Sequence, residues 1–175
     1  KFKEIDGTHP WRHVTPDGYI DYRARYRRNG RVLYFNFSLA REMELIPPDH
    51  PQIMNKDLEQ AVLDTFSLRI INEYDLEQGK KYPIESIKPN PYMATRYLQT
   101  QHRNRQGKTS GDGRSIWNGY LRTKGLTFDI SSRGTGATCL SPGAQRANGK
   151  VKTGDESYGY SSGLADLEEM LGSAL

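Results

Sequence analysis

Apolar and polar positions divide the chain into alternating runs, helical stripes and glycine-rich links. Residues 19–26 alternate loosely around Ile20, Tyr22 and Tyr26, and 31–37 (RVLYFNF) is dense in β-forming residues. Asn29-Gly30 stands between these two runs, which predicts a hairpin over 19–37. Residues 39–45 read as a short helix, capped by Ser38 and stopped by Pro47-Pro48. Behind Asn55 as a cap, Leu58, Val62, Phe66 and Ile70 recur at fourfold spacing, with Asp57 and Glu59 where a helix dipole favours them. That stripe predicts the main core helix, over 56–75. A second hairpin is predicted over 114–132: Ile116, Trp117, Tyr120 and Leu121, a turn at Thr123-Lys124-Gly125, then an apolar run over 126–130. Leu164, Leu167, Leu171 and Leu175 share one helical face and predict a last helix over 164–175.

The links between these elements bound the architecture. Gly7, Pro10, Pro16 and Gly18 punctuate residues 1–18, which are expected to form an irregular arm ahead of a single domain over 19–175. Residues 88–97 read as an extended approach segment, and 141–156 as a loop rich in Gly, Asn, Lys and Pro. Strand runs followed by helices predict an α+β fold, an antiparallel sheet with packed helices. A chain of 175 residues buries enough surface for such a core. The last leucine stripe runs to Leu175 without a cap, and the chain opens on Lys1, so the polypeptide is expected to continue beyond these residues.

Composition excludes several classes. One cysteine, Cys139, rules out an internal disulfide, and no Cys/His spacing resembles a zinc site. The sequence contains no apolar run of membrane-spanning length, so no membrane partner is expected and the cytoplasm is the expected compartment. The net charge of +4 is mild, and acidic residues are interspersed with basic ones. Tyrosines beside Arg23, Arg25, Arg27, Arg28 and Arg31 are compatible with a nucleic-acid surface. A solvated sheet face explains the same residues and is preferred, so nucleic acid is disfavoured as a partner. His9 and His13 have a helical metal-ligand spacing, but Pro10 disfavours the helix, and packing is the simpler role for Trp11.

The richest chemistry lies in 111–136 (GDGRSIWNGYLRTKGLTFDISSRGTG). Gly111, Gly113 and Arg114 precede one strand of the second hairpin, and Arg133-Gly134-Thr135-Gly136 ends the other. Glycine lets the backbone approach a ligand closely, exposed N–H groups bind anions, and arginine adds a planar permanent cation. The combination suits phosphate. A basic surface hairpin that needs glycine at its corners has the same pattern.

The order of these motifs resembles the N-terminal part of the selenoprotein O family, kinase-fold proteins that transfer AMP from ATP to protein hydroxyls. The dense match is GDGR at 111–114 followed by Asp129-Ile130-Ser131-Ser132-Arg133-Gly134-Thr135-Gly136-Ala137-Thr138. Upstream, VLYFNFSLAREMELIP over 32–47 is similar to the family's early N-x-x-L-A-x-x-L-G-L segment. The resemblance implies a kinase-like N-lobe in which Gly111, Gly113, Arg114 and Arg133 meet ATP phosphates. It also implies that Glu169 orients Arg133 and that Gly159 belongs to the nucleotide site. Two departures stand out: Arg133 replaces the family's lysine, and Tyr158 replaces an aspartate. The family's base-like aspartate and magnesium ligands lie in a C-terminal lobe beyond residue 175. The resemblance thus implies ATP with Mg²⁺ as cofactor, a protein substrate, and a chain inactive alone, because phosphoryl or adenylyl transfer needs both halves of the site. A non-catalytic basic module of the same descent, binding protein or nucleic acid, is the alternative. A structural domain with no ligand is the third reading.

Overall fold

The computed structural model describes residues 1–14, 16–95, 115–136 and 138–140. In β1 (Tyr19–Tyr26), Tyr22 and Ala24 are buried while Asp21 and Arg23 are exposed, the alternation of a strand covered on one face. Both edges of β1 are paired. β2 (Leu68–Ile71) lies on one side with Ile70 opposite Ala24, and β3 (Tyr92–Thr95) on the other with Tyr92 opposite Tyr22. β4 (Ser115–Thr123) and β5 (Leu126–Arg133) complete a sheet of five strands, ordered β2-β1-β3-β4-β5, in which all neighbours are antiparallel. With α1 (Phe37–Glu42), α2 (Lys56–Phe66) and α3 (Glu73–Glu77), the fold is α+β, as the sequence predicts.

The sheet is strongly curled. Laid flat, its two outer strands would stand about 19 Å apart, four inter-strand spacings. Yet Thr135, two residues beyond β5, accepts a hydrogen bond from the Ile70 amide of β2 at 2.9 Å. Two residues reach at most about 7 Å, so the edges must bend toward each other. The inner face holds Tyr22, Ala24, Leu68, Ile70, Tyr92, Ala94 and Ile116, closed by Leu140. A second layer forms where α1 and α2 pack Ala40, Ile46, Leu58 and Val62 together. Ile5, Met43, Leu121 and Ile130 join that layer to the lower part of the β4–β5 hairpin.

The second hairpin forms where the sequence places it. Lys124 (φ 50°) and Gly125 (φ 79°) make a two-residue turn, and positive φ at both positions matches the right-handed twist of the strands they join. The first hairpin does not form. Asn29 has φ 61°, but residues 31–36 make no strand, and β2 takes the edge of β1 instead. Val32, Phe35 and Phe37 turn toward the α1–α2 layer, while Leu33 is 82% exposed. Helix α1 is capped by Asn36, whose Oδ1 accepts from the Leu39 amide at 3.0 Å, so Ser38 lies inside the helix rather than at its cap.

The core helix is shorter than its stripe suggests. α2 opens on Asn55, as expected, with Oδ1 accepting from the Leu58 amide at 2.8 Å. It stops at Phe66, and Ile70 belongs to β2. Past Ser67 the buried residues are Leu68 and Ile70, which face the sheet interior at strand spacing. The backbone of β1 needs partners on that edge, and a strand supplies them where a longer helix cannot. The helix expected over 164–175 lies outside the described residues.

Residues 1–14 are irregular, built from two short 3-10 turns, and they pack closely on the sheet. Ile5 is buried beneath the hairpin. Gly7 then donates from its amide to the Asn118 carbonyl at 2.6 Å, beside a bulge in β4. A Cβ on Gly7 would lie 2.9 Å from the Pro91 carbonyl, so only glycine fits this passage. On the outer face, His9 stacks on Trp117 with ring centroids 4.4 Å apart, and Trp11 packs on the same indole at 4.6 Å.

Candidate functional site

β5 ends on Arg133, which stands directly opposite Ser115 at the start of β4. Opposed residues project from the same face, so Arg133 shares the outer face with Ser131 and Asp129, and the side chain is exposed. Beyond it the backbone turns sharply inward: Gly134 has φ 74° and Gly136 has φ 123°, a region that non-glycine residues rarely occupy. Thr135 and Thr138 are buried, and Leu140 enters the sheet interior. A Cβ on Gly136 would lie 3.0 Å from Cγ1 of Ile70, so this glycine serves packing against β2. Of the residues expected at a nucleotide site, Arg133 is the one described. Gly111, Gly113, Arg114, Gly159 and Glu169 lie outside the described residues.

The described part supplies a permanent cation and a left-handed backbone turn at one strand end, features that suit an anion. It supplies no metal ligand set. Among the described residues, no cluster of three or more His, Cys, Asp or Glu side chains is arranged to hold an ion. His9 is committed elsewhere: Nδ1 accepts from the Trp11 amide at 3.1 Å, and Nε2 meets Asp129 Oδ1 at 3.0 Å. With Nδ1 accepting, Nε2 carries the proton donated to Asp129.

Pattern reading missed a polar cluster on the inner face. The Tyr22 hydroxyl donates to Glu73 Oε1 at 2.6 Å and accepts from the Cys139 amide at 3.2 Å, with Cys139 Sγ 3.5 Å away. A phenol has one proton, and the shorter contact assigns it to the carboxylate. Burial, reinforced by Cys139 and Glu73, raises the Tyr22 phenol well above its ordinary range, so it stays protonated. The arrangement ties β1, α3 and the segment after β5 to one hydroxyl. The sequence separation of these residues hid it: Tyr22 and Cys139 are 117 positions apart.

On the outer face, Arg12 reaches both carboxylate oxygens of Asp21, at 2.7 and 2.6 Å, and lies over the Tyr19 ring. Partial burial opposes its charge, but Asp21 outweighs this and holds the guanidinium above its ordinary range. Arg25 lies over Tyr82, with its guanidinium 4.2 Å from the ring centroid. Arg12 and Arg25 are thus each engaged within this face, one by a carboxylate and a ring and the other by a ring.

No helix among the described residues is long and apolar enough to cross a membrane. Comparison with known proteins adds no relative: no family model, no curated protein and no solved structure matches the chain.

Proposed function

We propose that these residues form the N-terminal, nucleotide-binding part of a selenoprotein-O-like protein adenylyltransferase, inactive on its own. In this reading Gly111, Gly113, Arg114 and Arg133 meet the phosphates of ATP. Glu169 orients Arg133, Gly159 lies at the nucleotide, and Mg²⁺ is held mainly by residues of a C-terminal lobe. The cofactor supplies the adenylyl group. The contribution of this chain is to bind and orient the polyphosphate, with arginine gripping two oxygens where the family uses a lysine.

The observation that carries the reading is the register of β4 on β5. Arg133 is opposed to Ser115, the residue that directly follows Gly111-Asp112-Gly113-Arg114 in sequence. Arg133 of the second motif therefore stands beside the residue that follows the first motif in sequence. Titrating ATP into the full-length protein and its Arg133→Ala variant tests this. A charge-assisted hydrogen bond contributes about 1.5–3 kcal/mol, so nucleotide affinity is expected to fall by about tenfold or more. Unchanged affinity removes Arg133 from the site. AMP transfer by the 175-residue chain alone would overturn its inactivity.

A second reading, a non-catalytic basic module, is favoured by Arg133 and Tyr158 standing where the family has lysine and aspartate. Salt-sensitive binding to protein or nucleic acid, with no nucleotide binding by the full-length protein, would select it.

A further inference from the structure

The backbone that follows Arg133 contains two residues poorly able to hold a conformation by themselves. Gly134 and Gly136 have φ of 74° and 123°, and glycine at such corners leaves the chain free to swing unless outside contacts fix it. Those contacts come from β1 and β2, across the curled sheet. The Ile70 amide of β2 donates to the Thr135 carbonyl at 2.9 Å, and the Cys139 amide donates to the Tyr22 hydroxyl of β1 at 3.2 Å. Along the same stretch Thr135, Thr138 and Leu140 are buried. Tyr22 is itself held, because its proton goes to Glu73 Oε1 at 2.6 Å, on the first residue of α3. Burial keeps the phenol protonated, so this donor is not lost.

We propose that Tyr22 is a positioning residue for the phosphate site: by holding the backbone beyond β5, it sets where Arg133 is presented. Arg133 has that site role only under the nucleotide reading above, on which this assignment rests. Arg133 is the last residue of β5 and Thr135 lies two residues on, so a shift of the pinned segment reaches the arginine through at most about 7 Å of chain. Tyr22 itself touches no phosphate. It acts through the 138–140 backbone on one side and is braced by Glu73 on the other. Its hydroxyl can therefore be removed without altering either glycine or the arginine.

ATP titrations of the full-length protein test the assignment in four forms: wild type, Tyr22→Phe, Arg133→Ala and the double variant. Tyr22→Phe keeps the ring and removes one hydroxyl, and ATP affinity is expected to fall about threefold to tenfold, the equivalent of one hydrogen bond. In the Arg133→Ala background the same change is expected to add little, since Tyr22 acts through Arg133. Equal losses in both backgrounds overturn the proposal. Unchanged affinity in Tyr22→Phe, where Arg133→Ala is weakened, overturns it alone. Unchanged affinity in Arg133→Ala overturns it together with the nucleotide reading. Amide hydrogen exchange gives a second readout without nucleotide. Tyr22→Phe should speed exchange at Ile70, whose bond to Thr135 loosens with the segment, and leave Leu58 at the start of α2 unchanged. Faster exchange at both amides marks a general loss of stability, and an unchanged rate at Ile70 shows that Thr135 is held without Tyr22. Either result overturns the proposal.

Discussion

Residues 31–37 and 68–71 are two candidates for one edge of β1, and the longer and more β-rich of them is not the strand. The difference is in which side chains find cover. In β2, Leu68 and Ile70 point inward at period two and meet Ala24, Tyr92 and Leu140. In 31–37, the buried residues are Val32, Phe35 and Phe37, a spacing that fits no single strand face but suits a loop draped over α1 and α2. Strand propensity measures fit to a half-buried pleated surface, and only one of these segments has such a surface available. Single substitutions separate the two most sharply. Ile70→Ala should cost about 2–5 kcal/mol in urea unfolding, the range for emptying a buried aliphatic site. Leu33→Ala, in the denser β sequence, should change stability by less than about 0.5 kcal/mol. A comparable loss from both would mean that 31–37 pairs with the sheet after all.

The same contrast holds for the corners that precede each outcome. Gly30 has no left-handed backbone, yet a Cβ there would sit 2.6 Å from Ser67 Oγ and 3.2 Å from Leu63 Cδ2. Gly125 has φ 79° and nothing within 4 Å of the same position. One glycine is required by space, the other by conformation. Gly30→Ala should therefore destabilise by about 1–3 kcal/mol through overpacking. Ser67→Ala should recover a large share of that loss, because the closest clash disappears. Coupling between positions 30 and 67 in a double-mutant cycle is the readout. Additive losses would show that Gly30 is not pressed against the end of α2.

At Gly125 no such partner exists. Gly125→Ala should cost about 1–2 kcal/mol through the left-handed backbone alone, and no neighbouring substitution should relieve it. Replacement by asparagine, which tolerates that conformation better, should recover part of the loss. The effect is smaller than at Gly30 because the turn is exposed and its strands are held by their own register. Rescue of Gly125→Ala by any nearby truncation would erase the distinction between the two corners.

These comparisons also show where the sequence is readable. Lys124-Gly125 between two apolar runs specifies a hairpin because the signal is local and both residues adopt positive φ. Asn55 specifies a helix start for the same local reason. The end of α2 is not readable from its stripe: Leu58, Val62, Phe66 and Ile70 keep helical spacing in the sequence while the chain changes from helix to strand at Ser67. That change answers to the unpaired edge of β1, which lies more than forty residues earlier. The curl of the sheet and the Tyr22–Glu73–Cys139 contacts are likewise products of distant segments meeting. Of the residues in the proposed phosphate site, Arg133 has a described position, at a strand end opposite Ser115, and that position followed from predicting the hairpin.

The smallest effect concerns how the loop that lost the contest becomes a helix. Asn36 accepts from the Leu39 amide and starts α1, and Asn55 and Asn72 do the same for α2 and α3. Asparagine precedes all three described helices, so the capping chemistry was written into the chain, but at position 36 it was obscured by the strand-like run around it. Asn36→Ala should cost about 1 kcal/mol, the loss of one cap bond at an exposed helix end. Ser38→Ala, at the position favoured by sequence pattern, should be close to neutral because its side chain no longer faces the orphan amides. Hydrogen exchange at the Leu39 amide, the donor of the cap bond, distinguishes the two: faster exchange in Asn36→Ala and unchanged exchange in Ser38→Ala. The reverse result would return the helix start to Ser38 and leave 31–37 free to extend as a strand.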